Sequence, residues 1–389
     1  MRSKPLPVRD AGVWAPFNKP FVASGSLAAV GEALAGRRLG SGGPFARRCE
    51  SWLERATGGS RALLTQSCSA GLEAAVALAG VGPGDEVVMP SFNFPSVASA
   101  LVGRGGVPVF VDVRGDTLNI DEAQVEQAIG PKTRAIVCVD YGGVASELDA
   151  LQATADRHSI LLIEDAAHAF QSTYRGRPVG CHAGIVVFSF HDTKDVTSGE
   201  GGALIVNRRE LLERAAVIAD KGTNLRAFLN GEVESYSWVE AGQSLRPSEI
   251  TASFLWAQLQ QAGRIREARI AAWHAYDAAL AGLEARGLLR RQIVPPHCGI
   301  NGNACFVLLA EGAPRGRVIA ALKGRGIETA FHFVPLHSAP AGRRHGRTLG
   351  VLSNTESVAR RILRLPLWPG IEPHCREIVD ALGDVLAGS

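Results

Sequence analysis

Apolar positions along this chain fall into two rhythms. From residue 86 onward, short runs are almost continuously apolar: EVVMP (86–90), VPVFVDV (107–113), AIVCVDY (135–141), ILLIEDA (160–166), IVVFSF (185–190) and ALIV (203–206). Unbroken runs of this length predict strands covered on both faces. Between the early runs, residues 69–80, 95–102, 121–129 and 147–158 space their apolar side chains as helices do. Strand alternating with helix predicts an α/β fold, a mostly parallel, doubly wound sheet. Punctuation agrees: PGDE (83–86) reads as a turn feeding a strand, and Asp121 as an N-cap with Gln124 three residues on.

After Val206 the pattern changes. Helical spacing covers 208–221 and then 247–282, an Ala-rich stretch almost free of breakers. The last third alternates strand-like FVLL (306–309) and AFHFVPLH (330–337) with helical segments at 315–324 and 354–363. This predicts a second, smaller α/β lobe. The expected division places a large lobe at 20–255 and a small one at 256–389, with residues 1–19 packing on the small lobe. A length of 389 residues, at roughly 150 per domain, suits that division.

Composition narrows the partners. With 46% hydrophobic and 20% charged residues the chain is an ordinary globular one, and a formal charge of +3 makes no case for nucleic acid or a membrane surface. Seven scattered cysteines without a C-x-x-C pair argue against a disulfide framework or a structural zinc, so no metal is expected. The charged N-terminus is followed by no apolar stretch, and no apolar run approaches the roughly 20 residues that cross a bilayer, which predicts a cytoplasmic protein. Of the 41 basic residues 35 are Arg, leaving six lysines: Lys4, Lys19, Lys132, Lys194, Lys221 and Lys323.

Four segments sit where open α/β sheets place ligands, at carboxyl ends of strands or at starts of helices. TQSCSAG (65–71) runs small polar residues into a helix, and free amides there suit a phosphate, although for this segment taken alone plain serine capping is the simpler reading. IEDAAH (163–168) ends a buried strand on Asp165, a carboxylate that needs a cation, a metal or a protonated ring nitrogen. His168 follows one turn later. FSFHDTKDVTSGEGG (188–202) puts Lys194 just after an apolar strand, where burial disfavours the ammonium and leaves the neutral nucleophile that a Schiff base requires. PSFNFPS (90–96) offers Phe92 and Phe94 for a planar ring. A phosphate seat, a carboxylate, an aromatic and a lysine together match what pyridoxal phosphate requires.

From about Pro16 to Pro366 the chain also resembles the DegT/StrS group of sugar aminotransferases, fold-type-I enzymes that use pyridoxal 5'-phosphate. SCSAGLEAAVALAGVGPGDEVVMPSF, PVFVDV with TLNID, KTRAIVCVDYGG, IEDAAHA, FSFHDTKDVTSGEGG, DKGTN and HFVPLH carry the resemblance. SCSAGLE, FSFHDTK, GTN, LWAQL and PLHSAPAG are most similar to transaminases that make dTDP-4-amino-4,6-dideoxyhexoses. The resemblance implies that Lys194 binds the cofactor aldehyde and moves the proton, and that Asp165 pairs with the ring nitrogen. It places His168 near the ring hydroxyl, Ser189 with Cys68 and Ser69 at the phosphate, and Phe94 on the ring. Asn224 is implied to reach the phosphate in a neighbouring subunit, which makes the active unit a homodimer. Cys68 departs from a Gly frequent in relatives, and a side chain there leaves less room for the phosphate.

The implied reaction moves an amino group from L-glutamate to C4 of a dTDP-4-keto-6-deoxyhexose. Amination at C3, and a non-catalytic regulatory protein on the same scaffold, are the other readings; a related dehydratase chemistry would need His in place of Lys194. His332, His337 and Arg364 are the candidate contacts to the nucleotide sugar.

Overall fold

The protein is described from a computed structural model covering residues 12–388. An eight-stranded sheet forms its centre. In spatial order the strands are Arg61–Thr65, Gly202–Val206, Ile185–Ser189, Leu161–Asp165, Thr133–Val139, Glu86–Pro90, Val107–Val111 and Arg347–Thr348. All neighbours pair in parallel except 202–206, which runs antiparallel to both strands beside it. The sheet is therefore mostly parallel, of the fold-type-I kind, and each apolar run from 86 to 206 contributes a strand to it. Their interiors are buried throughout, because helices cover both faces and leave no wet side for a polar residue to occupy.

Local chemistry sets the helix ends. Ser67 caps Cys68–Leu78, its Oγ accepting the Ala70 N–H at 3.1 Å. Asp121 caps Glu122–Ala128 by accepting the Ala123 N–H at 3.1 Å, and Gln124 Nε2 reaches back to it at 2.9 Å. At Pro44–Thr57 no side chain of the helix caps its start; the buried Glu249 carboxylate instead accepts the N–H groups of Phe45 and Ala46 at 2.8 and 3.0 Å. A carboxylate there meets the positive end of the helix.

A three-stranded antiparallel sheet of Leu289–Arg291, Cys305–Leu309 and Ile362–Leu365 lies under the helices Ala262–Ala285, Arg315–Gly324 and Cys375–Ala387. The segment before the first helix joins this part. Trp14 Nε1 donates to the Arg325 carbonyl at 2.9 Å, Ala15 bridges Ile327, and the Pro16 carbonyl accepts from Trp368 Nε1 at 2.9 Å. Residues 1–11, which were expected to pack here too, lie outside the described residues.

Two expectations fail. The apolar stretch 247–282 is two helices, Glu249–Leu259 and Ala262–Ala285, broken at Gln260–Gln261. Neither glutamine is a strong breaker, so packing of the two arms decides the bend, not propensity. AFHFVPLH is not a strand either. Ala330 alone pairs, with Arg364; Phe333 sits at φ 43°, and Leu336–Ser338 is a single 3₁₀ turn. A bulky residue at positive φ ends any ladder. No helix among the described residues is long and apolar enough to cross a membrane.

Candidate active site

Register brings the chemistry together. Val139 and Asp165 are partners across adjacent strands, and so are Asp165 and Val187, so these strands end side by side. Ser189 pairs with Gly202, which also pairs with Thr65 at the strand leading into the capped helix. Above these ends lies a cavity of about 460 Å³. Cys68, Ser69, Phe94, Asp165, His168, Ser189, Lys194, His332 and Arg364 all line it.

Two other candidates stand apart. His337 is outside the cavity: its Nδ1 meets Ser91 Oγ at 2.7 Å and its Nε2 meets Glu356 at 3.1 Å, so its ring is already engaged in structure. Asn224 precedes the short helix Leu225–Leu229, and its Oδ1 accepts the Ser237 N–H at 2.7 Å. It does not line this chain's cavity.

Lys194 is the one lysine lining the cavity among the described residues. Its N–H donates to the His191 carbonyl at 3.0 Å, within the loop between Ile185–Ser189 and Gly202–Val206. Burial pulls its ammonium below the ordinary lysine range, Cys68 and Asp165 oppose that shift, and Arg364 adds to it. Asp165 is only 5% exposed. Burial raises its carboxyl to about 6, against the pull of the Ala167 N–H at 3.2 Å and of Lys194. His168 is held well below its usual range by burial and by the neighbouring Lys194, His332 and Arg364, so its ring is neutral. Its Nδ1 accepts the Gly142 N–H at 3.4 Å, which assigns the proton to Nε2 and makes that atom a donor. An aromatic stack of His168, His332 and Phe333 forms one wall, tied by a 2.6 Å hydrogen bond between Tyr141 and His332 Nδ1.

These residues fit pyridoxal phosphate. The first N–H groups of Cys68–Leu78 have no acceptor within the helix, and the hydroxyls of Ser69, Ser96 and Ser189 line the same space. A Cβ at Gly202 would come within 2.7 Å of the Cys68 nitrogen, so the strand after the lysine loop runs directly beneath that helix start. With amides for a phosphate, a lysine for an aldehyde and a buried acid for a ring nitrogen, each end of the cofactor has a partner. Residues 22–383 match the sequence profile of the DegT/DnrJ/EryC1/StrS aminotransferase family. The chain belongs to that family. It is accordingly a pyridoxal-phosphate-dependent sugar aminotransferase.

Similarity to individual members extends along nearly the whole chain. The spore coat polysaccharide biosynthesis protein SpsC of Bacillus subtilis (strain 168) is 30% identical over 388 residues, covering 96% of this chain and 97% of SpsC. The aminotransferase TlmJ from Streptoalloteichus hindustanus superposes with a TM-score of 0.88 at 29% identity, over 96% of this chain and 99% of TlmJ. S. venezuelae DesV, solved in complex with a ketimine intermediate, superposes with a TM-score of 0.83 at 30% identity, over 93% and 94% of the two chains.

The cavity also holds residues that motif reading missed: Asn93, Ser96, Arg269, Asn303 and Phe333. Asn303 and Arg269 come from separate elements of the second half, and no local pattern marks them. Asp195, directly after Lys194, was the visible clue, because a second buried acid needs a cation somewhere.

Proposed function

We propose that this aminotransferase moves an amino group from L-glutamate to C4 of a dTDP-4-keto-6-deoxyhexose, giving a dTDP-4-amino-4,6-dideoxyhexose. The observation that carries amino transfer is that Lys194 and the buried Asp165 share one cavity with a helix start and its serines. The choice of C4 rests on the SCSAGLE, FSFHDTK, GTN, LWAQL and PLHSAPAG segments. Bound pyridoxal phosphate supplies an electron sink for the negative charge left when a carbon loses its proton. Lys194 would hold its aldehyde, Asp165 its ring nitrogen, His168 Nε2–H its ring oxygen, Phe94 its face, and Cys68, Ser69 and Ser189 its phosphate.

The side chains then divide the work. The burial that disfavours charge on Lys194 leaves a neutral Nζ able to take a proton from one carbon, and its flexible stem can deliver that proton to another. Asp165, ionised above about pH 6, keeps a proton on the atom it faces. Arg364 forms no ion pair among the described residues, so its guanidinium is available to an anionic part of the substrate.

The segment around Asn224 supports a homodimer in which each subunit reaches its neighbour's site. Leu229, Tyr236, Trp238 and Val239 are exposed beside it, Trp238 by 77%, more apolar surface than one loop of a monomer ordinarily shows. One preparation tests both readings. Light scattering should give twice the 41.1 kDa chain mass. Incubation with dTDP-4-keto-6-deoxyglucose and L-glutamate should give, by NMR, a sugar aminated at C4; amination at C3, or none with cofactor bound, overturns the substrate. Lys194→Ala should abolish both product and the lysine-linked absorbance.

A further inference from the structure

Next to Lys194, Asp195 is buried at 6% side-chain exposure and its Oδ1 lies 2.9 Å from Nε of Arg269, itself 4% exposed. Arg269 belongs to the helix Ala262–Ala285 and lines the same cavity as Lys194. It also donates to the carbonyls of Gly302 and Asn303, both at 2.9 Å. Asn303 Nδ2 donates to Asp195 at 3.1 Å. A carboxylate only accepts, so that contact fixes which way the Asn303 amide points. Gly302 has φ +71°, and a Cβ there would meet the Arg269 backbone at 2.8 Å. The loop is thus pressed onto the helix where only glycine fits.

The same loop reaches the other side of the site. Asn301 Oδ1 accepts the Asn303 N–H, and Asn301 Nδ2 donates to the carbonyls of His168 and Phe170, all at 2.9 Å. One buried network therefore ties the segment bearing Lys194 to the segment bearing Asp165 and His168, through a loop and a helix distant in sequence. We propose that Asp195 and Arg269 are a positioning pair: Arg269 neutralises Asp195 and, through Asn301 and Asn303, holds the lysine loop in register with His168. Neither residue needs to touch the reacting atoms. Their influence on Lys194 acts through charge balance, since an unpaired acid next to Lys194 would stabilise its cationic form, and an unpaired guanidinium would oppose it. The other titratable groups around Lys194 are Cys68, Asp165, His168, His332 and Arg364, and none of them contacts Asp195.

This inference rests on the reading that Lys194 binds the cofactor, and spectroscopy of the loaded enzyme separates the two. The pH titration of the lysine-linked absorbance is followed in wild type, Arg269→Met, Asp195→Asn and the double variant. Arg269→Met should raise the midpoint by about one pH unit or more, and Asp195→Asn should lower it. The double variant should return it close to wild type, and Arg269→Lys should stay near wild type throughout. Midpoints that do not move, or that move in the same direction in both single variants, overturn the pair. Should Arg269→Met not fold, Asp195→Asn against the double variant still decides it. Borohydride reduction of the loaded enzyme followed by peptide mapping should mark Lys194, and a mark on another lysine overturns the cofactor reading instead.

Discussion

Asp165 and Glu164 are consecutive carboxylates on one strand, 5% and 0% exposed, yet they live under different conditions. Successive side chains point to opposite faces, so Asp165 looks into the cavity while Glu164 looks into the layer behind the sheet. Asp165 has the Ala167 N–H and the Lys194 charge to offset its burial. Glu164 meets Asp140, another buried acid, and neither is in an ion pair among the described residues. Burial drives both carboxyls up; the like charge of Asp140 raises Glu164 further, while the contact with Glu164 lowers Asp140, so the proton of the pair sits on Glu164. A buried acid is functional where a cation or ligand faces it, and a stability liability where only another acid does.

The largest effect should come from the cavity side. Asp165→Ala removes the group proposed to face the ring nitrogen, and turnover should fall by roughly a hundredfold or more, about 2.7 kcal/mol in the barrier. Because Asp165 in the free protein is ionised only above about 6, wild-type cofactor affinity should weaken as pH falls from 8 to 5, and the Ala variant should lack that slope. Equilibrium dialysis against cofactor across this range measures both. Equal slopes would remove Asp165 from the ring nitrogen.

The opposite face predicts a gain. A carboxyl whose folded-state affinity for protons exceeds the unfolded one stabilises the fold at low pH, and loses that stabilisation as pH rises from the ordinary carboxylate range toward the raised folded value. Glu164→Gln keeps the shape, lets an amide donate to the Asp140 carboxylate, and removes that proton linkage. Its melting temperature should exceed wild type at pH 8, by about 1 kcal/mol of stability or more, with the advantage shrinking toward pH 4. A destabilised variant at pH 8 would mean that the glutamate is ionised and paired.

How much of this was readable in advance follows the same division. The wall made by the sheet was legible because strand ends and the turns after them keep functional groups within a few residues: TQSCSAG, IEDAAH and FSFHDTK are contiguous words. The strands themselves were legible because double coverage enforces unbroken apolar runs. Arg269 and Asn303 could not be read, since each stands alone in its own element and acquires meaning only when helix 262–285 and the loop before the antiparallel strand Cys305–Leu309 meet at the cavity. The strand at Arg61–Thr65 escaped as well: its burial comes from pairing with 202–206, and RALLT is too short to show a period. His337 shows the converse, a residue in a telling motif whose ring is spent on Ser91 and Glu356.

The smallest effect sharpens the comparison within a single motif. In PSFNFPS, Phe92 is 1% exposed and packs on Tyr141 and Phe333 at centroid distances of 5.2 and 5.3 Å, whereas Phe94 is 59% exposed at the cavity wall. The alternation follows from the bends at 91–93 after the strand, where the Asn93 N–H donates to the Ser91 carbonyl at 3.1 Å and the Asn93 side chain accepts the Phe94 N–H at 2.6 Å. Its one ring neighbour among the described residues is Phe333, at 6.4 Å between centroids, so the exposed ring adds little to the fold and Phe94→Ala should leave the melting temperature of the cofactor-free protein nearly unchanged. If the ring lies on the cofactor, the variant should bind cofactor several-fold more weakly, in line with the roughly 0.5–1.5 kcal/mol that an aromatic contact contributes. Parallel thermal scans with and without pyridoxal phosphate read both quantities. A loss of stability without cofactor would place Phe94 in the core with Phe92, and an unchanged cofactor shift would leave the exposed ring to the sugar or to the partner subunit.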